Sequence, residues 1–460
     1  MPEIIADNIS VVRSDEIEGA TRLEAEYYQP RYLIFMDELS KYSVTKKTLL
    51  HLCEKIDVGF VGPMAHAYTT NGIPILQTQN VKEFVIDFTV LTYIQEWFHH
   101  VLQKSQVFSG DILIARSGSI GSAALVGEKT IKELNSSDII IIRPKPSINK
   151  YYLCAYLNSK FGQAQIERFS SGGLQGHINI SSLETLLVPL PDNKVQSLIG
   201  ETVSHGMNLV TKATNLYAQA ESRLLSELGI KNIDLSHDPC YKVNSADTIS
   251  ASRIDAEYYQ PKYERIIEAI KKHPYKRIGD LFNLIKGIEP GSSVYCEEGK
   301  PFIRVSNLNK FEINNNNQQY LSEETYSALE SQYQPLKGEI LLSKDATPGI
   351  TYHLKEQTDG IISGGIMRLQ ALSNINKEYV CLVINSLVGQ SQMERDSGGS
   401  VISHWKPAQI KNTLIPFLSP KVQEEIEHLC TESFFARRLA KKLLEEAKRK
   451  VEEMIEKGRE

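Results

Sequence analysis

Residues 22–32 read RLEAEYYQPRY, and residues 253–263 read RIDAEYYQPKY. The second stretch repeats the first 231 residues later with only conservative replacements, and chance does not produce such a match. Self-similarity over a long period determines the architecture before any single motif is weighed. The sequence therefore predicts a duplicated protein that carries one plan in each half of the chain.

Shorter matches continue the repeat along both halves. Residues 110–113 read GDIL and residues 338–341 read GEIL. At a shift of 227 residues the matched positions include Asn158 and Asn385, Gln163 and Gln390, Arg168 and Arg395, His177 and His404, and Gln196 and Gln423. Most of the divergence lies between these anchors, so the two halves share a framework and differ in the segments that the framework carries.

Each half begins as a mixed globular region and ends in a helical pattern. Runs such as IPIL at 73–76 and PFI at 301–303, bounded by Gly, Pro and Asn, are typical of short strands. After the prolines at 189–191 and 416–420 an uninterrupted helical pattern follows. We predict an α+β fold with two similar globular domains, mostly β with short helices, at residues 1–191 and 233–419. Two long helices, residues 192–232 and 420–460, complete it.

Both predicted helices carry a heptad seam. On the second helix the seam positions are Val422, Ile426, Leu429, Ser433, Ala436, Ala440, Leu443, Ala447, Val451 and Met454. The matching positions of the first helix are Val195, Ile199, Thr202, Gly206, Leu209, Ala213, Leu216, Ala220, Leu224 and Glu227. Small residues along both seams allow close approach of two backbones, so each helix is expected to pair with the other in a coiled coil. An antiparallel pair would relate the two domains by a pseudo-twofold axis.

The helix length suggests a spacing role. At 1.5 Å per residue the first helix would be roughly 57 Å long, and B-DNA repeats every 34–36 Å along its axis. Two similar domains held at a fixed distance suit a target with two separated sites. The alternative is that the helices only dimerise or stiffen the chain.

Composition excludes several classes of protein. The chain has 460 residues, of which 41% are hydrophobic and 23% charged, and it has no apolar run long enough for a bilayer span. An acid near the start replaces the basic region of a secretory signal, so a cytoplasmic location is expected. Six cysteines without a Cys-x-x-Cys pair predict buried thiols and no zinc site. The net charge of -5 argues against a protein that coats nucleic acid alone, but allows a DNA reader with one basic face or basic partners.

No catalytic centre is expected. The segment Asp238-Pro239-Cys240-Tyr241 lacks the second proline of a methyltransferase catalytic motif, and no cofactor-binding glycine turn precedes it. A phosphate-binding Gly-x-x-x-x-Gly-Lys-Ser/Thr loop is also missing. Glu446-Ala447-Lys448 and Asp192-Asn193-Lys194 lie on predicted helices, where a nuclease centre is not built. We therefore expect a chain that performs no bond chemistry.

Four sequence features occur together in this chain: the repeated EAEYYQP and DAEYYQP motifs, GDILIARSGSIG at 110–121, SGG at 171–173 leading to HINI at 177–180, and then a Pro-Leu-Pro bracket with a long helix. With these features the chain resembles, over nearly its whole length, the specificity subunit of type I restriction-modification enzymes. The resemblance implies two target-recognition domains, each reading half of a split DNA sequence, with helices that bind methyltransferase subunits. The second domain departs from it, with KDATPG at 344–349 in place of RSGSIG at 116–121.

The residue types at two strand ends in each half suit DNA contact. Arg and Ser bond phosphates or a guanine edge, and Gln, Asn and Arg carry the bidentate groups that distinguish adenine from guanine. The candidate DNA-binding residues are Gln77, Gln79, Asn80, Arg116, Ser117, Ser119, Arg304, Ser306, Asn307, Lys344, Asp345, Thr347 and Lys406. For the residues at strand ends a solvated strand end remains the alternative, whereas Lys406 is a candidate as part of a DNA-facing loop beside His404.

Other matched residues are expected to be structural. His177 and His404 could contact phosphate, but a structural hydrogen bond is favoured. Trp405 could belong to a DNA-facing loop or pack at the helix base. The tyrosine pairs at 27–28 and 258–259 are expected in the core or at domain–helix contacts.

The resemblance also implies partners. Double-stranded DNA, methyltransferase subunits and, in the full complex, a motor-nuclease restriction subunit would bind this chain. S-adenosylmethionine, ATP and magnesium would bind to those partners and not to this chain. Two alternatives stay open at this point: a type II system with a fused methylase-nuclease partner, and a coiled-coil scaffold that binds protein only.

Overall fold

The computed structural model describes residues 3–6, 9–13, 17, 24–127, 133–170, 177–231, 233–397 and 404–458. Contacts divide the chain into two compact units. The first unit comprises Met1–Thr211 and Ala436–Glu460, and the second comprises Lys212–Phe435. Each unit therefore holds one globular half together with one part of each long helix.

The first unit is built from short strands and helices. Its strands are β1 (Glu3–Ala6), β2 (Ile9–Val11), β3 (Lys46–Thr48), β4 (Cys53–Val58), β5 (Tyr68–Thr69), β6 (Ile73–Leu76), β7 (Val81–Lys82), β8 (Val85–Ile86), β9 (Thr92–Ile94), β10 (Gln106–Val107), β11 (Ile112–Ala115), β12 (Ala123–Leu125), β13 (Leu134–Ser136), β14 (Ile139–Pro144) and β15 (Leu187–Pro189). Its helices are α1 (Pro30–Lys41), α2 (Leu49–Leu52), α3 (Glu96–Val101), α4 (Lys150–Asn158), α5 (Lys160–Ser170), α6 (Ile180–Glu184) and the start of α7 (Asn193–Glu227).

The second unit repeats this inventory with fewer strands. Its helices are α8 (Ser245–Ala251), α9 (Pro261–Lys271), α10 (Ile278–Leu281), α11 (Glu323–Tyr333), α12 (Lys377–Asn385), α13 (Leu387–Ser397), α14 (Pro407–Asn412) and the start of α15 (Pro420–Lys457). Its strands are β16 (Tyr275–Arg277), β17 (Phe282–Lys286), β18 (Tyr295–Cys296), β19 (Lys300–Ile303), β20 (Gln319–Leu321), β21 (Ile340–Ser343), β22 (Thr351–His353), β23 (Ile361–Ile362), β24 (Ile366–Ala371) and β25 (Leu414–Pro416).

The two units share their sheet topology. The central sheet has the order β12-β11-β14-β4 in the first unit and β22-β21-β24-β17 in the second, with every neighbouring pair antiparallel. A parallel pair recurs in the neighbouring sheet, as β6 with β13 and as β19 with β23. The predicted α+β fold with two similar globular domains is confirmed.

The central strands are buried on both faces. Ile112 and Ile114 of β11 point into the core that includes the helices, whereas Leu113 and Ala115 join a separate apolar cluster with the second sheet. This alternation follows from the two-residue period of a strand. The ends of these strands therefore emerge between two packed layers, where a loop is firmly held at its base.

The repeated anchors of the sequence are joints of this framework. The Asn158 side chain accepts a hydrogen bond from Ala123 N (3.0 Å) and donates to Ala123 O (2.8 Å). Asn385 makes the same two bonds to Thr351, at 2.9 and 2.8 Å. A paired amide in a buried site satisfies backbone groups that would otherwise be left without partners. This explains why these positions match between the halves while the loops do not.

The repeated tyrosine motif is held by an arginine in each of the two units. The Arg168 guanidinium lies 3.8 Å from the Tyr27 ring centre and its Nε donates to Tyr27 O. Arg395 lies 4.6 Å from the Tyr258 ring centre and donates to Tyr258 O. Tyr27 and Tyr28 are buried, which confirms the predicted packing role, whereas the second pair is half-buried. Residues 22 and 23 of the motif lie outside the described residues.

The long helices pair antiparallel inside each unit. In the second unit Ser433 Oγ donates to Ala213 O (2.7 Å), and Arg223 Nε donates to Glu425 (3.1 Å), so numbers rise on one helix as they fall on the other. In the first unit a Cβ added to Gly206 would lie 2.9 Å from the Leu444 side chain. The predicted close approach at small residues is thus confirmed.

Most of the predicted seam is buried. Buried seam positions are Ile199, Gly206, Ala213, Ala220, Leu224, Val422, Ile426, Ser433, Ala436, Ala440, Ala447, Val451 and Met454. At the end of α7 the prediction is wrong, because Glu227 is exposed and bonds Arg223 while Leu228 takes the buried place. The helix has drifted by one position, as an α-helix with 3.6 residues per turn does against a strict heptad.

Two further expectations can be compared with the structure. Within the described ranges, no helix is both long and apolar enough to cross a bilayer. Cys53, Cys154, Cys381 and Cys430 are buried as predicted. The prediction of buried thiols is wrong for Cys240, which is exposed, and for Cys296, which is half-buried.

Candidate nucleic-acid interface

The first candidate segment, residues 77–80, follows β6 and consists of the cap residue Gln77 and a turn of 3-10 helix at Thr78–Asn80. Asn80 is buried, and its Oδ1 accepts from Gln77 N (2.8 Å). Its Nδ2 donates to Asp87 O (2.8 Å) and Val90 O (2.9 Å). Every polar group of this amide is therefore used to hold the turn. Gln77 is half-buried and its Oε1 accepts from Gln79 Nε2 (3.3 Å), whereas Gln79 itself is exposed.

Residues 304–307 form the same turn in the second unit. The buried Asn307 accepts from Arg304 N (3.1 Å) and donates to Asn316 O (2.9 Å). The matched asparagines are thus one structural device, whereas the exposed neighbours differ, with Ser306 where the first unit has Gln79. Arg304 also donates through Nη2 to Asn317 O.

The loop after β11 carries Arg116, Ser117 and Ser119. Arg116 is half-buried: Nε donates to Ile178 O (3.2 Å), and Nη1 bonds Asp138 Oδ1 at 3.0 Å. Ser119 is exposed at the loop tip. Gly118 and Gly121 have φ of +69° and +89°, a region that favours glycine, which explains the Gly-Ser-Ile-Gly sequence of the turn.

Asp138 joins the two candidate segments of the first unit. Thr78 Oγ1 donates to Asp138 O (3.0 Å), and Ser117 Oγ lies 3.5 Å from Asp138 Oδ2 and 3.4 Å from Thr78 Oγ1. Segments nearly forty residues apart in sequence therefore meet around one residue, with Thr78 on its backbone carbonyl and Ser117 near its carboxylate. Sequence reasoning missed Asp138, because nothing local marks a residue whose role is to receive bonds from two other loops.

The equivalent loop of the second unit is held differently. Lys344 Nζ bonds Asp345 Oδ2, and His404 Nδ1 donates to Asp345 Oδ1 (2.8 Å). Burial would raise the pKa of the Asp345 carboxyl, but hydrogen bonds from His404 and Lys344 outweigh it and lower the pKa. The carboxylate is therefore ionised at neutral pH. The structural hydrogen bond favoured for His404 is present.

The remaining candidate DNA-binding residues differ in their exposure to solvent. Thr347 and Lys406 are exposed, and Lys344 is buried behind Asp345. Trp405 is fully buried in the core of the second unit, and its backbone N–H donates to Lys344 O, whereas its indole N–H donates to Asp396 Oδ2 (3.4 Å). His177 is exposed, and the Ser-Gly-Gly stretch before it lies outside the described residues.

Matched glutamines fix the base of each loop. Gln163 Nε2 donates to Gly121 O (2.9 Å) and Leu157 O (2.6 Å), and Gln390 Nε2 makes the same bonds to Gly349 O (2.8 Å) and Ile384 O (2.9 Å). The two units therefore present different side chains from an identical support. In the described part of the chain, no group of three or more His, Cys, Asp or Glu residues is placed to hold a metal ion.

The same framework occurs in both units, and it carries polar loops of different sequence at matching strand ends. This arrangement defines a duplicated recognition protein. The family model described as the type I restriction modification DNA specificity domain matches residues 36–221 and again residues 271–448. The chain belongs to this family and contains two copies of the domain.

One relative is similar over about half of the chain. The chain is 27% identical over 244 residues to a protein named as the type I restriction enzyme MjaX specificity subunit of Methanocaldococcus jannaschii, covering 51% of this chain and 52% of that protein. It thus spans about half the length of the curated relative that it matches.

Two solved structures are similar over most of the chain. A type I system S subunit from M. genitalium shows 16% identity, covers 91% of this chain and 97% of its own, and has a TM-score of 0.41. The HsdS subunit of Thermoanaerobacter tengcongensis shows 14% identity, coverage of 90% and 96%, and a TM-score of 0.28. These superpositions support no comparison of individual side chains.

Proposed function

We propose that this chain is the sequence-reading subunit of a type I restriction-modification complex and that each unit reads one half of a split DNA target. The observation that carries the proposal is the pair of structurally matched loop clusters with unlike chemistry. Gln79 corresponds to Ser306 in the repeat, and Arg116 corresponds to Lys344. An identical support with exchanged side chains is what two different half-sequences require.

The charges support assembly with basic partners. The chain has a net charge of -5, and the cations of both loop clusters, Arg116 and Lys344, are paired with carboxylates. Because most affinity for a duplex comes from neutralising phosphates, this chain alone should bind DNA weakly. Methyltransferase subunits docked on α7 and α15 would supply the missing charge.

The chain itself is proposed to be non-catalytic and cytoplasmic. Adenine methylation with S-adenosylmethionine would take place on the methyltransferase subunits, and ATP- and magnesium-dependent cleavage on a restriction subunit. The bonds of the candidate loops support this division, since Arg116, Asp138, Asp345 and His404 are engaged in holding loop geometry.

Arg116→Ala and Arg304→Ala, which remove one candidate arginine from each unit, test the proposal together. Methylated sites are mapped in host DNA carrying each variant, because a half-site change is read directly there. We expect Arg116→Ala to relax one position of the first half-sequence by about 5- to 150-fold and to leave the second half unchanged. Arg304→Ala should do the reverse.

Both variants must keep the fold for this comparison to count. Thermal unfolding of each purified chain, compared with the unchanged protein, provides that control. If either well-folded variant altered both half-sequences together, or if neither altered any position, the assignment of one unit to each half would be wrong.

A further inference from the structure

The two units place their loop carboxylate at different positions. In the first unit the acid is Asp138, the residue directly before β14, and it pairs with Arg116 across the strands. The residue directly before β24 is Gly365, and here the acid stands instead at Asp345, in the loop itself. Each cluster therefore contains one carboxylate and one cation, but the carboxylate comes from a different strand end.

The two positions exclude each other in the second unit. A Cβ added to Gly365 would lie 2.8 Å from Val305 Cγ2 and 3.7 Å from Asp345 Oδ2. An aspartate there would press its Cβ against the Val305 side chain and place a second carboxylate beside Asp345, and neighbouring like charges disfavour each other. The first unit has Asp138 and Ser117 where the second unit has Gly365 and Asp345. These two differences between the units are therefore coupled.

The first arrangement leaves a fork of donors on Arg116. Its Nε bonds Ile178 O and one Nη1 hydrogen bonds Asp138, so two of five N–H groups are used. Among the described residues no acceptor bonds Nη2. One Nη1 hydrogen and both Nη2 hydrogens remain on a guanidinium that is fixed at two points, and the outer edge of a guanidinium carries one hydrogen from each Nη atom. That edge matches the O6 and N7 acceptors of guanine in the major groove.

The second arrangement offers no such fork. Lys344 has an ammonium group in place of the guanidinium, its side chain is only 11% exposed, and Asp345 neutralises it. The group that reaches solvent beside it is His404, whose side chain is 59% exposed and whose Nδ1 is held by Asp345. This leaves a single imidazole nitrogen, Nε2, which cannot make a bidentate contact.

We propose that Asp138 is a specificity-determining positioning residue, which orients Arg116 to read a guanine in the first half-sequence. Gly365 at the matched position, together with Asp345 and His404, gives the second unit a different single-point contact. This inference rests on the proposed function and names the base that the first loop cluster reads.

Asp138→Gly is the sharpest variant for testing it. Asp138 has a φ of +53°, a conformation that glycine adopts without steric strain. The bond from Thr78 goes to the backbone carbonyl of residue 138 and is kept. The change therefore removes the carboxylate and little else.

The experiment maps methylated sites in host DNA for four chains: unchanged, Asp138→Gly, Arg116→Ala and the double variant. We expect Asp138→Gly to lower discrimination at one guanine of the first half-sequence by about 5- to 150-fold and to leave the second half intact. The double variant should be no less discriminating than Arg116→Ala alone, because Asp138 acts through Arg116.

Two results would overturn the inference. Either Asp138→Gly discriminates as well as the unchanged chain at every position, or it weakens both half-sequences equally at an unaltered unfolding temperature. If the unchanged chain directs methylation to no split sequence, the proposed function has failed instead. Asp345→Asn serves as the matched control in the second unit and should alter only the second half-sequence.

Discussion

Replacing Arg368 by methionine is expected to reduce the free energy of unfolding of the second unit by about 3–5 kcal/mol. The Arg368 guanidinium bonds both Glu339 oxygens, at 2.7 and 2.9 Å, and the two side chains are 5% and 8% exposed. Without Arg368 the carboxylate would stay buried with its charge uncompensated. Denaturant unfolding of the purified chain measures the loss.

Lowering the pH should reduce the difference in free energy of unfolding between the unchanged chain and Arg368→Met. Burial would raise the pKa of the Glu339 carboxyl, but bonds from Arg368, Leu336 N and Gln370 lower it below the ordinary value of 4.5. A depressed folded pKa contributes stability above the unfolded pKa, and that stability is lost as the pH falls through the folded pKa. The variant lacks this contribution, so the two unfolding curves should converge below about pH 4.5.

Glu339→Gln added to Arg368→Met is the control. The neutral amide keeps an acceptor for Leu336 N and removes the buried charge. We expect it to recover at least half of the lost stability. If the double variant were as unstable as Arg368→Met alone, lost packing and not the uncompensated charge would account for the effect.

Lengthening both helices by one turn should change the spacing of the target and not its half-sequences. Four helix-forming residues are inserted after Thr211 in α7 and after Phe435 in α15, where both helices pass from one unit to the other. Four residues add about 6 Å, so the spacer between the halves should grow by about two base pairs. Methylation of the original target should fall by about 1000-fold or more.

A third insertion provides the comparison. The same four residues placed after Lys242, in an exposed segment outside the helices, should leave both the half-sequences and their spacing unchanged. If the lengthened helices kept the original spacing, the helices would not determine it, and the idea of a helical spacer would have to be abandoned.

Much of the fold could be predicted because the repeat carries it. Anchors such as Asn158 and Asn385 match since both satisfy the same buried backbone groups, and the seam of small residues reports where α7 and α15 approach. The fine register could not be predicted, because Leu228 and not Glu227 becomes buried once the helix drifts from the heptad.

The candidate site could be predicted only by segment. Gln77 and Asn80 look equally suited to reading a base, yet Asn80 is used entirely inside its own turn. Asp138 carries no local signal, since its role comes from loops that meet only in the folded protein. Side-chain chemistry alone cannot separate a group that holds a loop from one that the loop presents.

Methylation mapping of host DNA, with the gene for this chain intact and deleted, tests the central claim most directly. The account predicts methylated adenines within two defined half-sequences at one fixed spacing, and their complete loss when the chain is absent. A host in which no split sequence depends on this chain would contradict it.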